Sequence, residues 1–300
     1  MTGANHFQNL AFSEDDSQRI FGLPVQELAE KVETHTFAVQ AWLASRSPQA
    51  EILKLDGVRC SSTGYKIPFL NLALGGNFER GLSEREIIDE IARVKNFFQT
   101  RNIPWYWWMS AHPSPSHLSD ILASHGLEFD HHPLPAMAAS LSAQASFPNY
   151  PANIKVWRAN SMDDLRAAST IRRTAFRFPE GEAVSYFELM APDWLKNPQV
   201  RLFLAGEDFS TPVSIGALIM GAGMPGVYVM ATLPGHHRQG YGKAILTRLL
   251  EEAAAGGHSL LILTASRAGF GLYSQFGFQH ILDFHFYSPT PAIPNLKPQT

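Results

Sequence analysis

Apolar and polar positions alternate along the whole chain in a way that predicts short strands and amphipathic helices. Leu28, Val32, Val39 and Trp42 recur at helical spacing after Pro24, which suits a first helical position, and this segment ends near Ser47-Pro48. A β-like region over 51–78 follows, interrupted by Gly57 and Gly64, in which Ile67 to Leu74 reads as a strand buried on both faces. Ser83 and Glu86 spell a capping box, and Ile87, Ile88, Ile91, Val94 and Phe98 line one side of the helix after it. Residues 104–109 read as a strand, 117–125 as a short helix ended by Gly126, and 134–141 as a last strand. The stretch 143–152, with Pro148 and Pro151, is the natural linker.

Beyond the linker the pattern predicts a strand at 154–158, then a helix capped by Ser161, with Asp163 and Asp164 in its first turn, that ends near Phe176. A loop with Pro179, Glu180, Gly181 and Glu182 leads to a second helix around 184–189. Strands follow at 200–206 and 213–220, joined by Asp208–Pro212. A buried strand at 227–232 is ended by Pro234 and Gly235. Ile245, Leu246, Leu249, Leu250 and Ala253 then mark one side of a helix. The chain closes with a strand at 259–265, a short helix at 269–276, a strand reaching about Tyr287 and a proline-rich arm.

Composition narrows the class. The 300 residues are 45% hydrophobic and 17% charged, enough for two globular domains of ordinary size. A net charge of −3 supplies no basic excess for nucleic acid. Cys60 is the only cysteine, so no intrachain disulfide forms, and no stretch approaches a bilayer span or a signal peptide. The expectation is a cytoplasmic protein. Alternation puts Trp105 and Trp107 on one strand face, Tyr106 and Trp108 on the other, and core packing is favoured over a ligand wall. The pairs His131-His132 and His236-His237 point to opposite faces if they lie in strands, so neither chelates, and no metal site is expected.

The chemistry concentrates at 227–244. A strand that stops at a glycine loop and turns straight into a helix presents unpaired N–H groups and the positive end of the helix dipole, while glycine admits a phosphate against bare backbone. Two familiar phosphate loops do not fit. Gly242-Lys243 is followed by Ala244 rather than Ser or Thr, and a dinucleotide fingerprint would need glycine at position 245, which is Ile.

This half resembles the GCN5-related N-acetyltransferase (GNAT) family. His237-Arg238-Gln239-Gly240-Tyr241-Gly242 is similar to the family's Arg/Gln-x-x-Gly-x-Gly/Ala acyl-CoA loop, and Leu272-Tyr273-Ser274-Gln275-Phe276-Gly277-Phe278 to its tyrosine just before Gly-Phe. The order of elements over 154–287 also agrees. His237 stands where the family has Arg or Gln, and Ser266 where many members have Asn. The resemblance implies acetyl-CoA as cosubstrate. Its pyrophosphate would lie on the N–H groups of Arg238 to Lys243, with charge from Arg238 and Lys243. The pantetheine arm would pair with Met230, Ala231 and Thr232 and pass Ser266. It further implies direct attack by a primary amine of a small-molecule or peptide acceptor. Tyr273 would return a proton to the thiolate, since a phenol of pKa about 10 stays protonated at neutral pH. Glu180 and Glu182 border the acceptor in this comparison but read best as solvated carboxylates.

The two halves also read as a repeat. Helix, strand, short helix and glycine recur over 91–127 and 246–278; matching Gly126 to Gly277 puts Leu122 where Tyr273 stands, and Phe78 to Ser83 where the glycine loop stands. The expected architecture is α/β: two GNAT-like domains, each a mixed, mostly antiparallel sheet flanked by helices. Residues 1–147 form a degenerate copy and 148–300 the acetyl-CoA-binding one. A non-catalytic acyl-CoA sensor and an interaction scaffold are the rival readings.

Overall fold

Side chains that satisfy the first N–H groups of each helix decide where most helices begin. Ser83 and Glu86 form the expected reciprocal box at α3 (Glu84–Gln99), and Ser161 with Asp164 does the same at α5 (Met162–Phe176). Ser13 caps α1 (Glu14–Phe21) and Ser266 caps α9 (Arg267–Gln275). The remaining helices are α2 (Val25–Ser45), α4 (Leu118–Ser124), α6 (Tyr186–Leu189), α7 (Ala191–Lys196) and α8 (Tyr241–Ala255). The computed structural model describes residues 12–78, 81–141, 147–178 and 186–289. Glu79 and Arg80 of the matched loop, the 143–146 part of the linker, Pro179 to Glu182 and the arm beyond Pro289 lie outside those residues.

The strands are β1 (Glu51–Leu55), β2 (Val58–Ser62), β3 (Leu72–Asn77), β4 (Tyr106–Ser114), β5 (Leu127–Ser140) and β6 (Lys155–Arg158), then β7 (Val200–Gly206), β8 (Ser214–Gly221), β9 (Met224–Thr232), β10 (Leu260–Thr264) and β11 (Gln279–Pro289). They form one sheet in the order β1-β2-β3-β4-β11-β5-β10-β9-β8-β7-β6. Among the described residues only β3–β4 and β9–β10 pair in parallel, each joined by a helix crossover, α3 and α8. The repeat is visible in this order: β1, β2, β3, α3, β4, α4, β5 matches β7, β8, β9, α8, β10, α9, β11.

Each half completes the sheet of the other. The last strand of the first half, β5, pairs with β10, and the last strand of the chain, β11, pairs with β4. The two exchanged strands pair with each other in the middle, from Gln279 opposite Ala138 to Pro289 opposite Leu127. A cut between residues 147 and 148 therefore leaves one strand of each half in the sheet of the other.

Four apolar clusters lie on this sheet, two to a face. On one face α3 and α4 cover Ala73, Trp105, Trp107 and Tyr287, while α8 and α9 cover Met137, Leu218, Val227 and Leu263. On the other face α2 covers Leu74, Trp108, Ile262 and Phe284, and α5 to α7 cover Leu204, Ala217, Tyr228 and Ala231. The alternation of Trp105–Trp108 is realised as core on both faces, and Trp107 Nε1 donates to the Gly75 carbonyl at 3.0 Å.

Several boundaries differ from the sequence expectation. Pro24 is the N-cap of α2 rather than its first residue. Ile67 to Leu74 is not one strand. Pro68 opens a single 3₁₀ turn, and buried Asn71 ties the loop down by donating to the Pro104 carbonyl (2.9 Å) while its Oδ1 accepts from the Thr63 N–H (2.9 Å). Strand β5 starts seven residues before the expected Leu134, at Leu127. Helices α1 and α7 were not anticipated. Among the described residues no helix is long and apolar enough to cross a membrane.

Candidate functional site

Strand β9 pairs with β8 along its whole length, from Met224 to Thr232, but meets β10 only at Gly226–Ile262 and Val227–Leu263. Beyond Val227 the two strands part. A bulge sits there: Val229 takes φ +49°, and two residues of β9 face the single Gly216 of β8. Gly216 is required, because a Cβ on it would come within 2.4 Å of both Met230 Sδ and Ile245 Cγ2. Past the bulge, Met230, Ala231 and Thr232 present an edge that has no ladder with β10 among the described residues.

The loop after β9 is stitched by its own side chains. His237 Nε2 lies 2.9 Å from the Thr232 carbonyl oxygen, and Gln239 Nε2 donates to the Gly235 carbonyl at 2.8 Å. Arg238 is exposed with φ +60°. Gly240 is the N-cap of α8 with φ +99°, and a Cβ there would meet Pro151 Cδ at 2.7 Å, so both conformation and space demand glycine. No side chain caps α8, and its first turn holds no acidic residue. The N–H groups of Tyr241, Gly242 and Lys243 are thus left to an outside acceptor. At Gly242 a Cβ would meet only Leu272 Cδ2 at 3.6 Å and Thr232 Oγ1 at 3.8 Å, ordinary contact distances. Those two neighbours show that the end of β9, the start of α8 and α9 converge at this point.

Tyr273 lies on α9, buried in the same cluster as Tyr241 and Leu263. Burial pushes its phenol pKa above the ordinary value. A Cβ on Gly269 would come within 2.9 Å of Tyr273 Cε2, so this glycine leaves room for the ring. Ser266 Oγ accepts from the Gly269 N–H at 3.2 Å as the α9 cap, which turns it toward its own helix.

At the matching place in the first half the arrangement is closed. Ser83 Oγ and its N–H both donate to Glu86 Oε2 at 2.7 Å, and Ser83 accepts from the Glu86 N–H. A hollow of about 200 Å³ beside this helix start is lined by Glu84, Ile87 and His117. Leu122 is fully buried on α4.

Sequence reasoning passed over Arg172. It lies seven residues after Leu165, on the buried side of α5, and is only 6% exposed. Its Nε and Nη1 have no hydrogen-bond partner, and its guanidinium carbon stands 4.0 Å from the Tyr186 ring centroid and 5.0 Å from that of Phe178. The signal was available, since a cation at i+7 from a core leucine falls on the apolar stripe.

Residues 220–281, which span β9, the glycine loop, α8, β10 and α9, match the family model described as an Acetyltransferase (GNAT) domain. A search of curated proteins finds no match to the chain. Among solved structures the fold is similar to a GCN5-related N-acetyltransferase from Kribbella flavida, with TM-score 0.63 and 18% identity over 86% of this chain and 95% of that one. It is similar also to a GCN5-related N-acetyltransferase from Sphaerobacter thermophilus, with TM-score 0.61 and 17% identity over 80% of this chain and 79% of that one. A tandem GNAT protein from the clavulanic acid biosynthesis pathway matches with TM-score 0.57 and 13% identity over 92% of this chain and 96% of that one. Residues 220–281 thus match a GNAT acetyltransferase domain, and the chain shares the fold of GCN5-related N-acetyltransferases over most of its length.

Proposed function

We propose that the second half transfers an acetyl group from acetyl-CoA to a primary amine. The observation that carries this reading is the uncapped start of α8 beside the edge of β9 where β10 has parted from it. The N–H groups of the α8 first turn, with Arg238 and Lys243, would hold the pyrophosphate, as an anion is held at a helix start. The edge of Met230 to Thr232, which has no ladder with β10 and whose Thr232 carbonyl is met by His237, offers its remaining backbone groups to the amides of the pantetheine arm. The amine nitrogen attacks the thioester carbonyl carbon, the C–S bond breaks, the Tyr273 phenol gives its proton to the departing thiolate, and the proton lost by the nitrogen passes to water and restores the phenol. A raised phenol pKa keeps that proton in place until the thiolate forms.

Calorimetric titration with acetyl-CoA tests the first step. One site per chain is expected. Gly240→Glu should abolish it, and Gly242→Val should weaken it although the fold leaves space for the new side chain. Tyr273→Phe should lower kcat by roughly 100-fold with acetyl-CoA affinity unchanged. Absence of binding at millimolar acetyl-CoA would sink this reading and leave the scaffold. Binding without turnover of any amine would leave the acyl-CoA sensor.

A further inference from the structure

A buried guanidinium without an acceptor is costly, because desolvation of the charge is not offset by a partner. Arg172 comes close to this, with Nε and Nη1 lacking any acceptor. It is 6% exposed, two of its nitrogens are unpartnered, and no carboxylate lies within ion-pair reach of it among the described residues. Aromatic rings frame it instead: Tyr186 at 4.0 Å, Phe178 at 5.0 Å and Phe187 at 5.9 Å from the guanidinium carbon. Tyr65, from the loop after β2 in the first half, is close enough to interact electrostatically with both Arg172 and Tyr186. The exposed Phe176 stacks on Phe178 at 5.7 Å and carries the aromatic frame outward to the surface.

The position matters as much as the charge. Tyr186 and Phe187 belong to the apolar cluster that contains Ala231, on the sheet face opposite α8 and α9. The guanidinium therefore lies in the layer of α5 to α7, behind the part of β9 that is offered to the acyl donor. A planar fork of donors matches a carboxylate, and one guanidinium balances one negative charge rather than a phosphate dianion.

We propose that Arg172 anchors a carboxylate of the acyl acceptor, so that the acceptor is an amino acid or another primary amine bearing a carboxylate. This rests on the acetyltransferase reading, since it assigns the class of that reaction's second substrate. The first half takes part in it through Tyr65.

The test uses the full chain and a panel of α- and ω-amino acids, each beside its carboxamide. Calorimetry and thermal unfolding with these probes read binding without turnover. The expected result is that at least one acid binds the wild type ~10-fold or more tightly than its amide, as a charge-assisted pair requires. The preference should fall to within about 2-fold in Arg172→Met and survive in part in Arg172→Lys. The ligand-free Arg172→Met chain should melt above the wild type, because an unpartnered buried charge has been removed; a purely structural arginine would give the opposite sign. Equal binding of acids and amides to the wild type, or a preference that persists in Arg172→Met, overturns the proposal. Acetyl-CoA titration of the same samples keeps the two readings apart. Its binding with no preference for acids sinks only the role of Arg172, and its absence in the wild type sinks the acetyltransferase reading.

Discussion

Two helices, α3 and α8, each follow a strand that pairs in parallel with the strand after the helix, and they treat their first turn in opposite ways. Helix α3 fills it from within: Ser83 and Glu86 satisfy each other, and Glu84 adds a second carboxylate. Helix α8 leaves its first turn bare, with a left-handed glycine as N-cap and no acidic residue in that turn. The same topology thus yields one helix start that is a finished structural cap and one that no side chain closes. The difference lies in side chains, since the backbone frame is shared. It teaches that closing a helix start needs no change of fold, only a serine and a glutamate at the right spacing.

The largest effect probes whether the two halves stand as separate units at all. His35 of α2, in the first half, is fully buried against the turn between β8 and β9, with Nδ1 3.0 Å from the Gly221 carbonyl oxygen. Burial lowers its pKa from 6.5 to about 4, so the folded state requires the neutral ring. Its contribution is complete above pH 6.5 and is lost as the pH falls toward 4, which amounts to about 3 kcal/mol. Denaturant titrations between those limits should show falling stability in a single transition. Two separate transitions would break the view of the halves as one folded body, and His35→Phe should flatten the pH dependence.

Next in size is a reversal of charge at the open start. Lys243→Glu, which puts a carboxylate at the position Glu86 occupies in α3, should weaken acetyl-CoA by roughly 10–100-fold while leaving the helix stable or better by about 0.5 kcal/mol. Opposite movements of affinity and stability would show that the bare first turn is kept for a ligand. The smallest effect comes from the closed start. Ser83→Ala should cost about 1 kcal/mol of stability in denaturant and leave acetyl-CoA affinity and its stoichiometry untouched. A second equivalent of acetyl-CoA bound to either chain would erase the contrast between the two helix starts.

The sequence made the local chemistry legible because caps, glycine loops and strand alternation are written in neighbouring residues. The boxes at Ser83 and Ser161, the faces of Trp105 to Trp108 and the turn at 237–243 are all of this kind. Pairing across the sheet is not. Nothing in the periodicity of β5 or β11 says which strand lies beside it, so the exchange between halves could be seen only in the fold. Strand β5 looked shorter than it is because Pro133 and Pro135 interrupt it and Glu128 and Asp130 make its first part polar. Helix α1 carried readable signals, an N-cap at Ser13, acids in its first turn and Gly22 just past its end, but it is only 8 residues long and largely polar, so no apolar stripe marks it. Arg172 is legible as a cation on the apolar stripe of α5, but its lack of acceptors and its aromatic neighbours from α6 appear only in the fold.

The exchanged strands bear on how such a chain can change over generations. A duplicated copy that no longer binds its ligand is ordinarily dispensable and drifts out of a gene. Here deletion of the first copy would take β5 with it, strip β10 and β11 of a shared neighbour and leave β11 without β4. The surviving copy would expose unpaired edges in the middle of what had been a continuous sheet, a state prone to self-association. Reciprocal exchange therefore makes each half obligatory to the other through the strand it lends, whatever chemistry either half carries.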